Sequence, residues 1–282
     1  MTLDRRTVLR ATARLAGLTA GSAMLTACGG DRTGPGRVTP VARLGPVRPT
    51  ASGSPSAGSS DSPPAGPTAV ANPLPALPPL AAGTPAEVVT GPRTRPQLAL
   101  TFHGQGDPAI AEAVLRTAEQ HGTRLTVLVV GSWLDEQPQM ARRILDGGHE
   151  LGNHTQNHRN ICALPAAQAH AEIAECADRL LRLTGSIGRW FRPSSAQYAT
   201  ATVREQARLV GYEHCLSFDV DPRDYADPGA DLVQRRVLGA ATAGSVVALH
   251  LGHRGTADAL PAILAGLDAR GLTAVTASQL CS

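Results

Sequence analysis

The sequence from Gln97 to the C-terminus predicts an α/β fold in which helices cover a parallel sheet. Short apolar segments rich in Val and Leu alternate with amphipathic segments of helical period, and this alternation is typical of parallel sheets. Glycines end several of the predicted helices. Residues 97–282 are somewhat few for a closed eightfold β/α barrel.

Seven strands and six helices are predicted in order. The first strand is at 98–102 and the second at 124–130, with helices after them at 108–122 and 138–148. A short strand at 149–154 precedes a helix at about 165–183 that ends at Gly185. The next strands lie near Trp190, His214 and Val246, each followed by a helix, near Val203, Leu232 and Leu260. The last strand is at 272–276.

Residues 1–28 form a predicted export signal outside the fold. Arg5 and Arg6 are adjacent, as in a twin-arginine signal, and the apolar stretch that follows is too short to span a membrane. The stretch ends in LTAC, which resembles a bacterial lipoprotein cleavage box with Cys28 as the lipidated residue. We therefore expect an exported protein, lipid-anchored on the outer face of the cell membrane. An ordinary signal peptide, with Cys28 incidental, is the alternative.

Residues 29–96 are predicted to be a disordered tether. Pro, Gly, Ser, Ala and Thr dominate this stretch, so it cannot bury enough apolar surface to offset the entropy of ordering. Its proline content favours an extended spacer, which would either reach toward a wall polymer or serve as neutral filler. The formal charge of +3 and the scarce aromatic residues exclude a nucleic-acid partner. Membrane contact is expected through the lipid anchor only.

Four cysteines remain in the predicted domain, residues 97–282, and an exported protein with four can hold two disulfides. Three pairings of Cys162, Cys176, Cys215 and Cys281 are possible, and the sequence does not choose among them. Cys176 lies in a predicted helix and is alternatively a buried free thiol.

His154 and His158 are four residues apart in the segment GNHTQNH. Two imidazoles at this spacing can bind one divalent metal, although a local hydrogen-bond arrangement gives the same pattern. Polar residues also end the other predicted strands, where the carboxyl ends of a parallel sheet converge. We expect the functional site at that edge of the sheet.

Five segments occur in a fixed order: TFHGQGDP, GNHTQNH, FRPSS, FDVDPRDY and VVALH. This order resembles the NodB-type polysaccharide deacetylases, carbohydrate esterase family 4, from about Gln97 to the C-terminus. The family pattern H-[ST]-x-x-H is matched at 154–158, and the leucine-rich motif ending in His is matched at 247–250. The resemblance implies an incomplete, distorted (β/α)7 barrel. It also implies a metal-dependent deacetylase that removes N-acetyl or O-acetyl groups from an acetylated polysaccharide or peptidoglycan.

The resemblance also implies roles for individual residues. His154 and His158 correspond to ligands of a divalent metal, zinc or alternatively cobalt or nickel. His250 corresponds to the general acid, with Asp221 or Asp224 orienting it. Arg192 corresponds to the arginine that orients the catalytic base. Substrate contacts are implied for Ser195, through its backbone N–H, and for Tyr225, which replaces a tryptophan.

The first motif departs from the family. His103 and Gly104 stand where the family has two aspartates, the base and a metal ligand. His103 therefore has three readings: a replacement base, a third metal ligand, or neither. Asp107 is the nearest carboxylate, but it aligns with a variable position. Two functions therefore remain. The protein is either an altered deacetylase or a catalytically impaired surface lipoprotein that binds glycan.

Overall fold

The computed structural model describes residues 76–282. The predicted signal with Cys28, and the predicted tether up to residue 75, lie outside the described residues. Eight parallel strands form one sheet in the order β1-β6-β5-β4-β3-β2-β7, and β8 pairs with the beginning of β2. The two end strands of this order, β1 and β7, do not pair with each other. The sheet is therefore an open, incomplete barrel, which confirms the predicted fold class.

Strands and helices alternate along most of the chain, except that β2 follows β1 and α3 follows α2. The strands are β1 Glu87–Val88, β2 Gln97–Gly106, β3 Thr126–Val129, β4 Glu150–Asn153, β5 Trp190–Phe191, β6 His214–Leu216, β7 Val246–Gly252 and β8 Thr273–Val275. The helices are α1 Pro108–Gln120, α2 Gly131–Glu136, α3 Gln139–Asp146, α4 Ala166–Thr184, α5 Ala201–Val210, α6 Ala230–Ala240, α7 Arg254–Asp268 and α8 Ala277–Leu280. All seven predicted strands and six predicted helices are present. The unpredicted elements β1, α2 and α8 have two, six and four residues, too few to show a hydrophobic period.

The folded part of the chain begins before residue 97, because strand β1 belongs to the sheet. Glu87 and Val88 pair with Cys215 and Leu216 of β6, and Val88 is 1% exposed. The boundary predicted at residue 97 is therefore too late, and the C-terminal end of the predicted tether belongs to the sheet. The average composition of residues 29–96 concealed this two-residue strand.

The side chains of β2 alternate between two environments, as a strand requires. Leu98, Leu100 and Phe102 are buried in the cluster that also contains the helix residues Val114, Leu115, Leu260 and Ile263. Ala99 is buried in a separate cluster inside the barrel. Thr101 and His103 share the face of Ala99, so this alternation sends His103 toward the barrel interior.

The four cysteines of the described residues are free thiols. Cys176, Cys215 and Cys281 are buried, and Cys162 is partly exposed. The two disulfides considered from the sequence are thus not present, whereas the alternative of a buried Cys176 is observed. None of the helices in residues 76–282 combines the length and hydrophobicity that crossing a membrane requires.

Candidate active site

Three strand ends, those of β2, β4 and β7, bring a cluster of four histidines together. His103 near the end of β2 stacks on His154 after β4, with ring centroids 4.4 Å apart. The ring of His250 on β7 meets His103 edge-on, also at 4.4 Å. His158 lies 4.9 Å from His154. The predicted histidines thus lie together at the carboxyl ends of the strands.

His154 is positioned as metal-binding histidines usually are. Its Nδ1 lies 3.0 Å from the backbone oxygen of Arg192. A carbonyl oxygen only accepts hydrogen bonds, so Nδ1 carries the hydrogen and Nε2 keeps its lone pair. That Nε2 is buried and has no partner among the described residues. His154 is thus preoriented as an acceptor or as a ligand.

A chain of hydrogen bonds joins Asp224, His250 and His103. Asp224 Oδ1 lies 2.8 Å from His250 Nδ1, and His250 Nε2 lies 2.9 Å from His103 Nδ1. Because the carboxylate accepts, His250 Nδ1 donates to it, and neutral His250 then accepts at Nε2 from His103. His103 Nε2 is left as a buried acceptor without a partner in the described part of the chain.

Asp224, and not Asp221, is the carboxylate that contacts His250. Asp224 is 1% exposed and also accepts from the backbone N–H of His250 at 2.7 Å and from Thr256 Oγ1 at 2.6 Å. Asp221 is exposed, and its Oδ1 accepts the backbone N–H of Arg223, as in a local turn. The structure therefore separates two aspartates that the sequence left equivalent.

Arg192 is completely buried and lacks a carboxylate partner among the described residues. It donates to the backbone oxygens of Leu216 and Ser217 and to Thr101 Oγ1, at 2.8 to 3.2 Å, and Nη1 has no partner. Burial lowers the pKa of this guanidinium to about 9. Asp219 is not a partner of Arg192, since its carboxylate accepts from Ser245, Val246 and Arg93. Arg192 therefore has a structural position beneath the histidines.

Gly104 and Asp107 do not complete a metal site. A Cβ on Gly104 would lie 2.8 Å from Val129 Cγ1 and 2.9 Å from Val127 Cγ1, so this position faces the helix layer. Asp107 caps α1 by accepting the N–H of Ala109 at 2.8 Å. In residues 76–282 no three His, Cys, Asp or Glu side chains form a set that could hold a metal ion.

The two residues implied in substrate binding lie on exposed loops, and Tyr225 lies beside the cluster. Tyr225 is 50% exposed, and its ring lies 5.4 Å from that of His250. Ser195 is exposed with φ of 55°. Five non-glycine residues in the described range have positive φ, all in the loops after β4, β5 and β6: Thr155, His158, Ser195, Arg223 and Asp227. Such strain clusters at functional sites and had no signal in the sequence.

The buried imidazoles of His103 and His154 are held neutral. Burial, followed by the nearby His154, Arg192 and His250, lowers the pKa of His103 well below its usual value. Burial, followed by His158, likewise lowers the pKa of His154 well below its usual value. Neutral imidazoles accept protons and bind metals, and imidazolium does neither.

A second histidine–carboxylate pair at the site was missed by the sequence reasoning. His253 Nδ1 lies 2.8 Å from Asp227 Oδ1, and the ring of His253 is 5.6 Å from that of His250. The spacing was the available signal, because His250 and His253, like Asp224 and Asp227, are three residues apart.

A cavity of about 540 Å³ lies away from these histidines, at the opposite ends of the strands. Its lining includes Glu150 at the beginning of β4. The Glu150 carboxylate is bound internally by Thr126, Trp190 and Ser278. Because the acceptors of this carboxylate are already occupied, we place the functional site at the histidines.

Comparison with known proteins identifies the family. Residues 90–215 match the family model described as polysaccharide deacetylase. A peptidoglycan-N-acetylglucosamine deacetylase of Bacillus cereus is 32% identical over 199 residues, which cover 67% of this chain and 90% of that protein. The chain therefore belongs to the polysaccharide deacetylase family, as the five motifs predicted.

Two further relatives show how far the likeness extends. The peptidoglycan-N-acetylglucosamine deacetylase PgdA of Listeria monocytogenes is 27% identical over 188 residues, 67% of this chain. The match spans only 39% of that protein's length. In fold, the chain resembles a carbohydrate esterase family 4 pseudoenzyme from Bacillus anthracis, with a TM-score of 0.67 and 23% identity. That match covers 71% of this chain and 70% of the other.

Proposed function

We propose that this protein removes acetyl groups, N-linked or alternatively O-linked, from a wall glycan, with peptidoglycan as the first candidate. Two named relatives act on peptidoglycan N-acetylglucosamine. The observation that carries the proposal is the chain Asp224–His250–His103, which ends beside His154 in an unpartnered acceptor. Such an acceptor can take the proton of an attacking water.

The donor set fits a divalent metal in part. His154 and His158 would hold it, because the Nε2 of His154 is buried, unpartnered and oriented by a carbonyl. Zinc, or alternatively cobalt or nickel, suits imidazole ligands. When bound, the metal would polarise the acetyl carbonyl and lower the pKa of the attacking water.

The residues of this chain supply the proton transfer. His103 Nε2 accepts the proton of the attacking water, while its Nδ1 proton passes to His250 Nε2. The positive charge then lies on His250, beside the buried carboxylate of Asp224, which stabilises it. The backbone N–H of Ser195 would face the oxyanion and Tyr225 the sugar. In this assignment neither Asp221 nor Arg192 contacts the substrate. Asp221 holds the turn of its own loop, and Arg192 holds the backbone beneath the histidines.

A non-catalytic, glycan-binding protein is the second candidate. It is favoured by Gly104, whose position faces the helix layer, and by the lack of a three-ligand set in residues 76–282. The fold neighbour from Bacillus anthracis is itself described as a pseudoenzyme. The two candidates differ in whether acetate is released.

Acetate release by the purified full chain should separate these functions. We expect release from N-acetylated peptidoglycan or chito-oligosaccharides, lost after chelation and restored by zinc or cobalt. His154→Ala with His158→Ala should abolish both metal binding and release, since both proposed ligands are gone. His121→Ala with His214→Ala, which removes two histidines outside the cluster, is the matched control. Glycan binding without acetate release under any metal would favour the second candidate.

We also propose export and anchoring through Cys28, which would place the site near the wall. The support is the Arg5-Arg6 pair followed by the LTAC segment. Cys28→Ser should move the protein from the membrane fraction to the soluble fraction of fractionated cells. A wild-type protein that is already soluble and carries no lipid would contradict the anchor.

A further inference from the structure

Both ring nitrogens of His250 are already engaged. Nδ1 binds Asp224 at 2.8 Å and Nε2 binds His103 at 2.9 Å. A proton donor must reach the leaving nitrogen at hydrogen-bond distance through a free N–H. His250 presents none, and its side chain is only 14% exposed.

The neighbouring pair of His253 and Asp227 has the accessibility that His250 lacks. His253 Nδ1 is held by Asp227 Oδ1 at 2.8 Å, and its side chain is 31% exposed. Its Nε2 has no protein partner in residues 76–282 and is not buried. This is the geometry of a general acid oriented by a carboxylate.

The backbone fixes this pair beside the first one. His253 is the N-cap residue of α7, directly after β7. Asp227 ends a short 3₁₀ turn that begins at Asp224, and its φ of 48° is a strained, left-handed conformation. The two pairs therefore lie side by side, with the rings of His250 and His253 5.6 Å apart.

We propose that His253, oriented by Asp227, donates the proton to the departing amine, while His250 serves as the internal link between His103 and Asp224. This proposal rests on the deacetylation proposed above. As the C–N bond breaks, its electron pair goes to nitrogen, which takes the proton from His253 Nε2. The proton of the attacking water has gone to His103, whose Nδ1 proton has passed to His250. The products are therefore a neutral amine and acetic acid, which loses its proton to solvent as acetate. Solvent then removes one proton from the His103–His250 pair and returns one to His253.

The charged groups around His253 suit this role. The Asp227 carboxylate lies at hydrogen-bond distance from His253 Nδ1, and the Asp224 carboxylate is bonded in the same way to the adjacent His250. Arg254 follows it in the chain and is exposed to solvent. The ring of Tyr225 also lies 5.4 Å from that of His250.

The test compares an amide substrate with an activated ester on the full chain. An amine leaves only when protonated, whereas the nitrophenolate of 4-nitrophenyl acetate leaves without a proton donor. His253→Gln should lower kcat on N-acetylated chito-oligosaccharides by about 10²–10⁴-fold. KM should change little, and the rate on 4-nitrophenyl acetate should stay near that of the wild type. Asp227→Asn should also lower kcat on the amide substrate and spare the rate on 4-nitrophenyl acetate, but with a smaller loss.

The controls separate the possible failures. His214→Gln is the matched control, because this half-buried histidine is likewise held through Nδ1, by the backbone oxygen of Pro85. His253→Asn, with thermal unfolding of each variant, guards against a folding defect. Equal losses on both substrates, or none on either, would overturn the proton-donor role. A wild type that releases acetate from neither substrate would refute the deacetylation itself, and with it this role.

Discussion

Gly104→Asp should lower the stability of the protein sharply without creating a metal ligand. The new Cβ would lie 2.8 Å from Val129 Cγ1 and 3.1 Å from Val129 Cα, so the backbone of β3 would have to shift. Overpacking of a core costs about 1–3 kcal/mol, and burial of a carboxylate among valines adds to this. We expect a loss of roughly 3 kcal/mol or more, measured by urea unfolding, and no gain in zinc affinity.

Two alanine variants isolate the steric part of this effect. Gly104→Ala should destabilise through its Cβ alone. Gly239→Ala in α6, where nothing lies within 4 Å of an added Cβ, should be neutral or stabilising by about 0.4–1 kcal/mol. His103→Asp, by contrast, would place a carboxylate on the inner face near Arg192. If Gly104→Asp is as stable as the wild type and binds zinc more tightly, then β2 rearranges and the assigned direction of residue 104 is wrong.

Asp224→Asn should impair both activity and folding, because this carboxylate accepts three hydrogen bonds in a buried place. Asparagine presents an NH₂ group to one or more of these donors. The resulting unsatisfied groups should cost about 1–3 kcal/mol. His250 would also lose the partner that fixes its tautomer, so acetate release should fall by about 10²–10⁴-fold.

Asp231→Asn is the charge-matched control for this variant, since Asp231 is an exposed residue in the first turn of α6. Its unfolding midpoint and acetate release should stay close to those of the wild type. Thermal unfolding and acetate release measured on the same samples give both readouts. Unchanged acetate release in Asp224→Asn would show that the hydrogen-bonded chain does not take part in the reaction.

The elements of the fold that could be predicted from the sequence are those long enough to show a hydrophobic periodicity. Strands such as β2 and β3, and helices such as α4, carry enough apolar residues at regular spacing to be recognised locally. β1 has only two residues and exists because β6 offers backbone partners. Long-range pairing of this kind leaves no local signal.

The site residues were likewise predictable only in part. Strand ends placed His103, His154 and His250 together, because parallel strands converge at one edge. The sequence did not distinguish Asp224 from Asp221, since the choice depends on how the loop after β6 turns. It also gave no account of the bond between His103 and His250, which depends on ring orientation across two neighbouring strands.

The hydrogen bonds that hold Arg192 do not depend on the residue at position 103. The guanidinium is held by two carbonyl oxygens and a threonine hydroxyl, none of which belongs to residue 103. An arginine fixed in this way keeps its place whichever side chain stands above it. A different side chain at position 103, such as the carboxylate of His103→Asp, would therefore leave these three hydrogen bonds of Arg192 in place.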